Sequence, residues 1–134
     1  MKSYPQKIKY KKTRKGKLVK LEFKANSIKF GVVGLKAAES GILKYKHIEA
    51  ARQAISRKIK RRGKVWIRIF PYLPITAKPK GTRMGKGKGS VSHWGAKVRG
   101  GTTLFEICGV SYGLFFDALK TGGAKLPIKT RIFK

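Results

Sequence analysis

Acidic residues are scarce in this chain, which has 5 Asp and Glu against 34 Lys and Arg in 134 residues. Because the formal net charge is +29, self-repulsion opposes the compact state, and a polyanion is the natural counter-charge. The five acids form no convincing acid–base pair, so general acid–base catalysis has little to work with. The composition therefore favours a nucleic-acid-binding protein over an enzyme.

Cysteine and long apolar runs are also nearly absent. The single cysteine, Cys108, excludes an intramolecular disulfide framework and a cysteine-rich zinc site, and it fits a reducing compartment. The two histidines, His47 and His93, lie far apart in sequence, so we expect no metal site and no cofactor. No apolar run approaches the roughly 20 residues of a membrane-spanning helix, so we expect no membrane span.

Length and composition predict one domain preceded by a basic arm. With 134 residues and 41% hydrophobic residues, the chain has enough apolar material for one small core. We place the arm at residues 1–20 and the domain at residues 21–134. A basic start without acids is also typical of organellar transit peptides, but this one is lysine-rich and weakly amphipathic. We interpret it as an RNA-binding arm whose contacting residues are Lys7, Lys9, Tyr10, Lys11, Lys12, Arg14 and Lys15.

Hydrophobic periodicity predicts an α+β fold of two helices packed on short, mainly antiparallel strands. The first helix is predicted over 45–61, with no capping side chain at Lys44 and Gly63 as its C-terminal cap. Its apolar face comprises Ile48, Ala51, Ile55 and Ile59. A second, shorter helix is predicted over 112–122. Strand-like segments are predicted within 21–35 and over 65–70, 91–98, 103–107 and 128–133. Gly100-Gly101 would join two of them, 91–98 and 103–107, in a hairpin.

The polar face of the first predicted helix is basic. Glu49 is the only acid there, so pairing within the helix is almost absent. Charged faces are usually just solvated, but unbalanced positive charge along one face is the footprint of nucleic-acid binding. We therefore expect RNA contacts from cations of this helix, the following turn and the next strand: Arg52, Arg57, Lys60, Arg61, Arg62 and Arg68.

Glycine and lysine alternate in one loop, Arg83, Met84, Gly85, Lys86, Gly87, Lys88 and Gly89. Glycine lets the backbone approach a partner closely, and each lysine adds a mobile positive charge. Neither a phosphate-binding Walker loop nor a dinucleotide fingerprint fits this spacing, because the required Ser or Thr and the following helix are missing. The pattern favours contact with a phosphate backbone; a merely solvated flexible loop is the alternative.

Three further residues receive plainer interpretations. Trp66 and Trp94 lie in predicted strands, where a tryptophan more often packs in a core than stacks on a base. We therefore expect both in the core. Cys108 precedes Gly109 and is interpreted as a small buried or turn residue rather than a nucleophile.

Several blocks occur in the order typical of one known family. They include Gly34 to Ala37, Ile48 to Arg52, Gly63 to Pro71, Pro74 to Thr76, Arg83 to Gly89 and Lys125 to Thr130. Through these blocks the chain resembles, over about residues 5 to 133, the L-sixteen family of large-subunit ribosomal proteins, of bacterial and organellar type.

The resemblance implies a fold of the α/β-hammerhead kind and a non-catalytic role. It implies a place on large-subunit rRNA beside the aminoacyl-tRNA site, supporting assembly and tRNA positioning. The loop Arg83 to Gly89 would point toward the tRNA acceptor end and the peptidyl transferase region. The arginine matching Arg83 can be hydroxylated in bacterial members. Neighbouring large-subunit ribosomal proteins would be further partners, and no homo-oligomer is expected.

Two other functional classes stay open from the sequence. A free-standing nucleic-acid chaperone would bind RNA or DNA with little sequence preference. An RNA-modifying enzyme would need a cofactor pocket or general base, and the sequence offers neither. For the compartment, the 25 lysines against 9 arginines indicate an AT-rich genome. Together with the absence of a convincing transit peptide, this favours an organelle-encoded protein of the mitochondrial ribosome. A bacterial cytoplasmic ribosome is the alternative.

Overall fold

Regular secondary structure begins only at Val33 in the computed structural model, which describes residues 4–134. Within that range the elements are β1 (Val33–Ala37), β2 (Gly41–Lys44), α1 (Tyr45–Lys58), β3 (Lys64–Ile67), β4 (Leu73–Ala77), β5 (Ser90–Val98), β6 (Thr103–Cys108), α2 (Tyr112–Gly123) and β7 (Thr130–Phe133). Two helices with antiparallel strands confirm the predicted α+β class. The boundary between arm and domain at residue 20 stays a prediction, and residues 1–3 of the arm lie outside the described range.

The strands form two antiparallel sheets. The four-stranded sheet has the order β3-β6-β1-β7 and the three-stranded sheet the order β2-β5-β4. The predicted hairpin between β5 and β6 is wrong, because the two strands belong to different sheets. Ala96 of β5 faces Leu43 of β2, whereas Phe105 of β6 faces Leu35 of β1. Each strand thus finds its apolar partners elsewhere, and Gly100-Gly101 carries the chain from one sheet to the other.

The core lies between the two helices and the sheets. The predicted apolar face of α1 is confirmed, since Ile48, Ala51, Ile55 and Ile59 are all at most 5% exposed. From α2, Phe115, Ala118 and Leu119 join the same cluster. Full burial of one such large side chain contributes about 1.5–3 kcal/mol, so this face holds α1 in place although Lys44 makes no capping hydrogen bond.

The end of α1 differs from the prediction. The helix ends at Lys58 with Ile59 as its cap, and the Lys60 N–H bonds to the Arg57 carbonyl. The Arg61 N–H reaches the Ser56 carbonyl at 3.0 Å, which completes a Schellman motif. Lys60 takes the left-handed conformation usual for glycine there, with φ 51°. The prediction of Gly63 as the cap was therefore wrong.

Other strand boundaries also needed correction. The apolar patches before residue 33 are not strands, and β3 stops at Ile67 instead of residue 70. β4 was not predicted, because Pro74 lies inside it. β4 is an edge strand of the three-stranded sheet and pairs only with β5. Proline is tolerated in edge strands, because one side of the strand has no neighbour that needs its missing N–H. Within residues 4–134, neither helix has the length and apolarity to cross a membrane.

Candidate nucleic-acid interface

The basic arm and the glycine-lysine loop touch each other. The Lys12 ammonium donates a hydrogen bond to the Lys88 carbonyl at 2.7 Å. In return, the Lys88 ammonium donates to the Thr13 carbonyl, also at 2.7 Å. These contacts join segments about 75 residues apart in sequence and place two of the predicted RNA-binding groups on one surface.

The tip of the loop has an unusual backbone. Gly85, Lys86 and Gly87 are consecutive left-handed residues, with φ angles of 95°, 51° and 74°. A Cβ atom at Gly85 or Gly87 would meet nothing within 4 Å, so glycine is needed there for conformation and not for space. The Lys78 ammonium bonds to the Gly85 carbonyl across the loop. Arg83 to Lys88 are all exposed and Gly89 is half-buried, so the loop presents its cations to solvent.

The arm presents a row of cations to solvent. All of its predicted contact residues are exposed: Lys7, Lys9, Tyr10, Lys11, Lys12, Arg14 and Lys15. The pKa of His93 is lowered by burial and then by the positive charges of Lys44 and Lys15. His93 of β5 thus lies in the positive field of both the arm and the residue before α1.

A second basic group lies at the end of α1. Arg57, Lys60, Arg61 and Arg62 are exposed. Within residues 4–134, none of their side chains forms an ion pair, and no hydrogen bond links them to the arm or the loop. Arg52 differs, since its guanidinium binds Glu49 at 2.6 Å and this hydrogen bond lowers the pKa of Glu49. Of the five predicted contacts in this helix and the following turn, four thus have no ion-pair partner within residues 4–134, and Arg52 is neutralised.

Arg68 is the least accessible of the predicted RNA-binding cations. Its side chain is 14% exposed, and its guanidinium forms an ion pair with the fully buried carboxylate of Glu106. The same carboxylate accepts backbone N–H groups from Lys29, Phe30 and Gly31, at 3.3, 2.7 and 2.8 Å. Arg68 therefore has a structural role, and its contact with RNA stays a prediction.

We expect Glu106 to make stability fall at acid pH. Burial raises the pKa of Glu106, but the N–H groups of residues 29–31 and Arg68 outweigh it, leaving the pKa below the usual 4.5. The contribution of Glu106 to the free energy of unfolding is then complete above about pH 4.5. It is lost as the pH falls through the lower pKa of the folded state. Thermal unfolding across the acid range measures this. Glu106→Gln should flatten the profile more than Glu49→Gln, and equal flattening would contradict the assignment.

Neither tryptophan lies in the core, so that prediction was wrong. Both are half-buried, and the ring of another aromatic residue stacks on each of them. Tyr4 stacks on Trp94 with ring centroids 6.4 Å apart, and Phe30 stacks on Trp66 at 6.2 Å. Both tryptophans are therefore accessible parts of the surface.

Cys108 is half-buried as the last residue of β6, ahead of the turn at Gly109.

The comparison with known proteins decides the family. Residues 5–133 match the family model described as Ribosomal protein L16p/L10e. The chain belongs to this family. It is 51% identical over 126 residues to the large ribosomal subunit protein uL16 of Borreliella afzelii, covering 94% of this chain and 91% of that protein. The protein of the same name from Sinorhizobium medicae is 50% identical over 127 residues, covering 95% and 93%.

As a member of this ribosomal protein family, the chain is a structural component and not an enzyme. Its predicted site residues fall into four places: the joined arm and loop, the end of α1, the Glu106 pair with Arg68, and Arg52 beside Glu49 in the middle of α1. Sequence reasoning missed Glu106 and Phe30. Glu106 did carry a signal, because it is one of only five acids and interrupts the apolar run Leu104 to Ile107. Nothing in the local sequence marked Phe30 as its partner.

Proposed function

We propose that this protein is a structural constituent of the large ribosomal subunit that binds large-subunit rRNA. The observation that carries the proposal is the family match over residues 5–133, together with relatives named as large-subunit proteins. The exposed cations of the arm, the loop and the end of α1, which form no ion pair within residues 4–134, support it. Phosphate contacts from these cations would supply affinity and fix orientation on the RNA, because phosphate contacts position a protein without reading sequence.

We propose further that the loop reaches the acceptor end of aminoacyl-tRNA. The reciprocal bonds between Lys12, Thr13 and Lys88 support this, because they brace the loop against the arm. A braced loop loses less conformational entropy when it meets a second RNA. The arm would then bind rRNA and the adjoining loop would contact tRNA from the same surface. Neighbouring large-subunit proteins are proposed as further partners.

Sedimentation of a native lysate through a sucrose gradient tests the ribosomal role. The protein is expected to migrate with the large subunit and to remain there at moderate salt. Migration at the top of the gradient, with only salt-sensitive RNA binding, would instead favour a free-standing nucleic-acid chaperone.

The compartment follows from which ribosome carries the protein. The relatives reported above are bacterial, which fits a bacterial cytoplasmic ribosome. The mitochondrial ribosome remains our proposal on the lysine-rich composition alone. Probing gradients from isolated mitochondria and from the remaining cytoplasm separates the two.

Replacing Lys86 and Lys88 with alanine should impair tRNA accommodation more than subunit assembly. Each lost charge removes about 1 kcal/mol of attraction at 4 Å in water, so we expect roughly fivefold slower accommodation per lysine. Lys88→Ala also breaks the bond to Thr13 and should have the larger effect. Rapid-kinetic measurement of accommodation on purified variant ribosomes is the test. The matched control is Lys80→Ala, which replaces an exposed lysine at the base of the loop. If the double variant accommodates tRNA at the wild-type rate, the loop does not have this role.

A further inference from the structure

One row of residues crosses the four-stranded sheet on the face opposite the helices. Trp66 of β3 faces Glu106 of β6, Glu106 faces Gly34 of β1, and Gly34 faces Phe133 of β7. Their neighbours in the strands, such as Phe105 and Ile107, belong to the core shared with the helices. Because side chains alternate along a strand, the row lies on the other face. The row therefore presents two aromatic rings away from the core.

Glu106 fixes the segment that covers this row. Its carboxylate accepts the N–H groups of residues 29–31, which pins that segment onto β6. Gly31 allows the close approach, since a Cβ atom there would lie 2.9 Å from the backbone of Ile107. A buried carboxylate and a glycine thus determine where the intervening residue, Phe30, is placed.

The Phe30 ring lies over a supporting layer and stays open to solvent. It stacks on Trp66 at an interplanar angle of 21°, and the Arg68 guanidinium lies 5.2 Å from its centroid. The Lys64 ammonium lies 5.1 Å from the Trp66 ring. Phe30 nevertheless remains 59% exposed. A single exposed apolar side chain is ordinary, but this one is fixed by its backbone, supported by a second ring and surrounded by cations.

Such a surface has the chemistry that recognises unpaired nucleotides. RNA-binding sheets stack splayed-out bases on aromatic side chains, and stacking tolerates any base because each has a π face. Cations beside the ring neutralise the flanking phosphates. Lys29 and Lys64 are exposed next to the Phe30–Trp66 pair, and Lys36 lies 4.7 Å from the Phe133 ring at the other end of the row.

We propose that Phe30 is a stacking platform for an unpaired RNA base, with Glu106 and Arg68 as its positioning residues. This inference rests on the proposed RNA-binding function and deepens it, because it adds a site for single-stranded RNA beside the phosphate-binding cations. Duplex RNA does not fit the platform, since its bases are stacked on one another and unavailable.

Binding of the full chain to a short, fluorescently labelled single-stranded RNA tests the platform. Phe30→Ala should weaken binding by about 5- to 150-fold, the range for losing one base–aromatic stack. The slope of affinity against salt should not change, because no charge is lost. Phe30→Trp should restore binding, and affinity for duplex RNA should be the same in all variants. Phe23→Ala is the matched control, because Phe23 is 81% exposed and makes no aromatic or cation–π contact among residues 4–134.

Three results would overturn the platform. If Phe30→Ala weakens binding to single-stranded RNA no more than Phe23→Ala does, no base stacks on Phe30. In that case, salt-dependent RNA binding by the wild-type chain would still support the proposed function. If Phe30→Ala weakens binding to duplex RNA as much as binding to single-stranded RNA, the substitution disturbs the RNA-binding surface in general and does not remove a base stack. A wild-type chain that binds no RNA at low salt would refute the platform and the proposed function together.

Discussion

Replacing Glu106 with alanine is expected to lower the free energy of unfolding by about 3–5 kcal/mol, the usual cost of removing one partner of a buried ion pair. Glu106 is fully buried, and the substitution leaves Arg68, itself only 14% exposed, without its counter-charge. It also removes the acceptor for the backbone N–H groups of residues 29–31. Such a loss is a large part of the total stability of a small domain. Denaturant unfolding of the free protein, followed by circular dichroism, measures it.

Glu49→Ala is the matched control for this prediction. Glu49 also pairs with an arginine, but the side chains of Glu49 and Arg52 are 35% and 40% exposed. Exposed ion pairs contribute about 0–1 kcal/mol, so this variant should be nearly as stable as wild type. If both variants lose the same stability, burial does not strengthen the Glu106 pair. Pairing Glu106→Ala with Arg68→Ala in a double-mutant cycle separates the ion pair from the lost N–H contacts.

RNA affinity is expected to fall by about 10³- to 10⁵-fold between about 50 and 200 mM salt. That range corresponds to six to ten neutralised phosphates, each of which releases a counterion from the RNA on binding. The chain supports this number, because the arm alone exposes six cations among its predicted contacts: Lys7, Lys9, Lys11, Lys12, Arg14 and Lys15. The slope of log affinity against log salt, measured on a large-subunit rRNA fragment, gives the number of phosphates.

Two arginines of one helix provide an internal comparison for the salt slope. Arg57 is exposed and, in the described part of the chain, has no ion-pair partner, whereas Arg52 is held by Glu49. Arg57→Ala should reduce the slope by about 0.7–0.9, the value for one phosphate contact, and Arg52→Ala by less. A shallow slope for the wild-type chain would mean that apolar or hydrogen-bonding contacts, and not phosphates, dominate binding.

The features predicted well from sequence are those set by neighbouring residues. The spacing of Ile48, Ala51, Ile55 and Ile59 predicted the buried face of α1, because residues three and four apart share a side of any α-helix. The predicted strands at residues 91–98 and 103–107 match β5 and β6 closely. The predicted end of α1 was wrong because Lys60 takes a conformation typical of glycine. The predicted hairpin was wrong because local turn signals do not determine which sheet a strand joins.

Charge, family and the chemical groups from which an RNA interface can be made all follow from the sequence alone. Folding decides which cations lose their charge to a distant partner. Arg68 and Lys64 look alike in the sequence, yet Arg68 is neutralised by the carboxylate of Glu106. The pair of Glu49 and Arg52, by contrast, joins residues three apart in one helix. The contact between Arg68 and Glu106 spans 38 residues, and that between Lys12 and Lys88 spans 76. Periodicity reports only on neighbours along the chain, so contacts over such distances exist only once both sheets have formed.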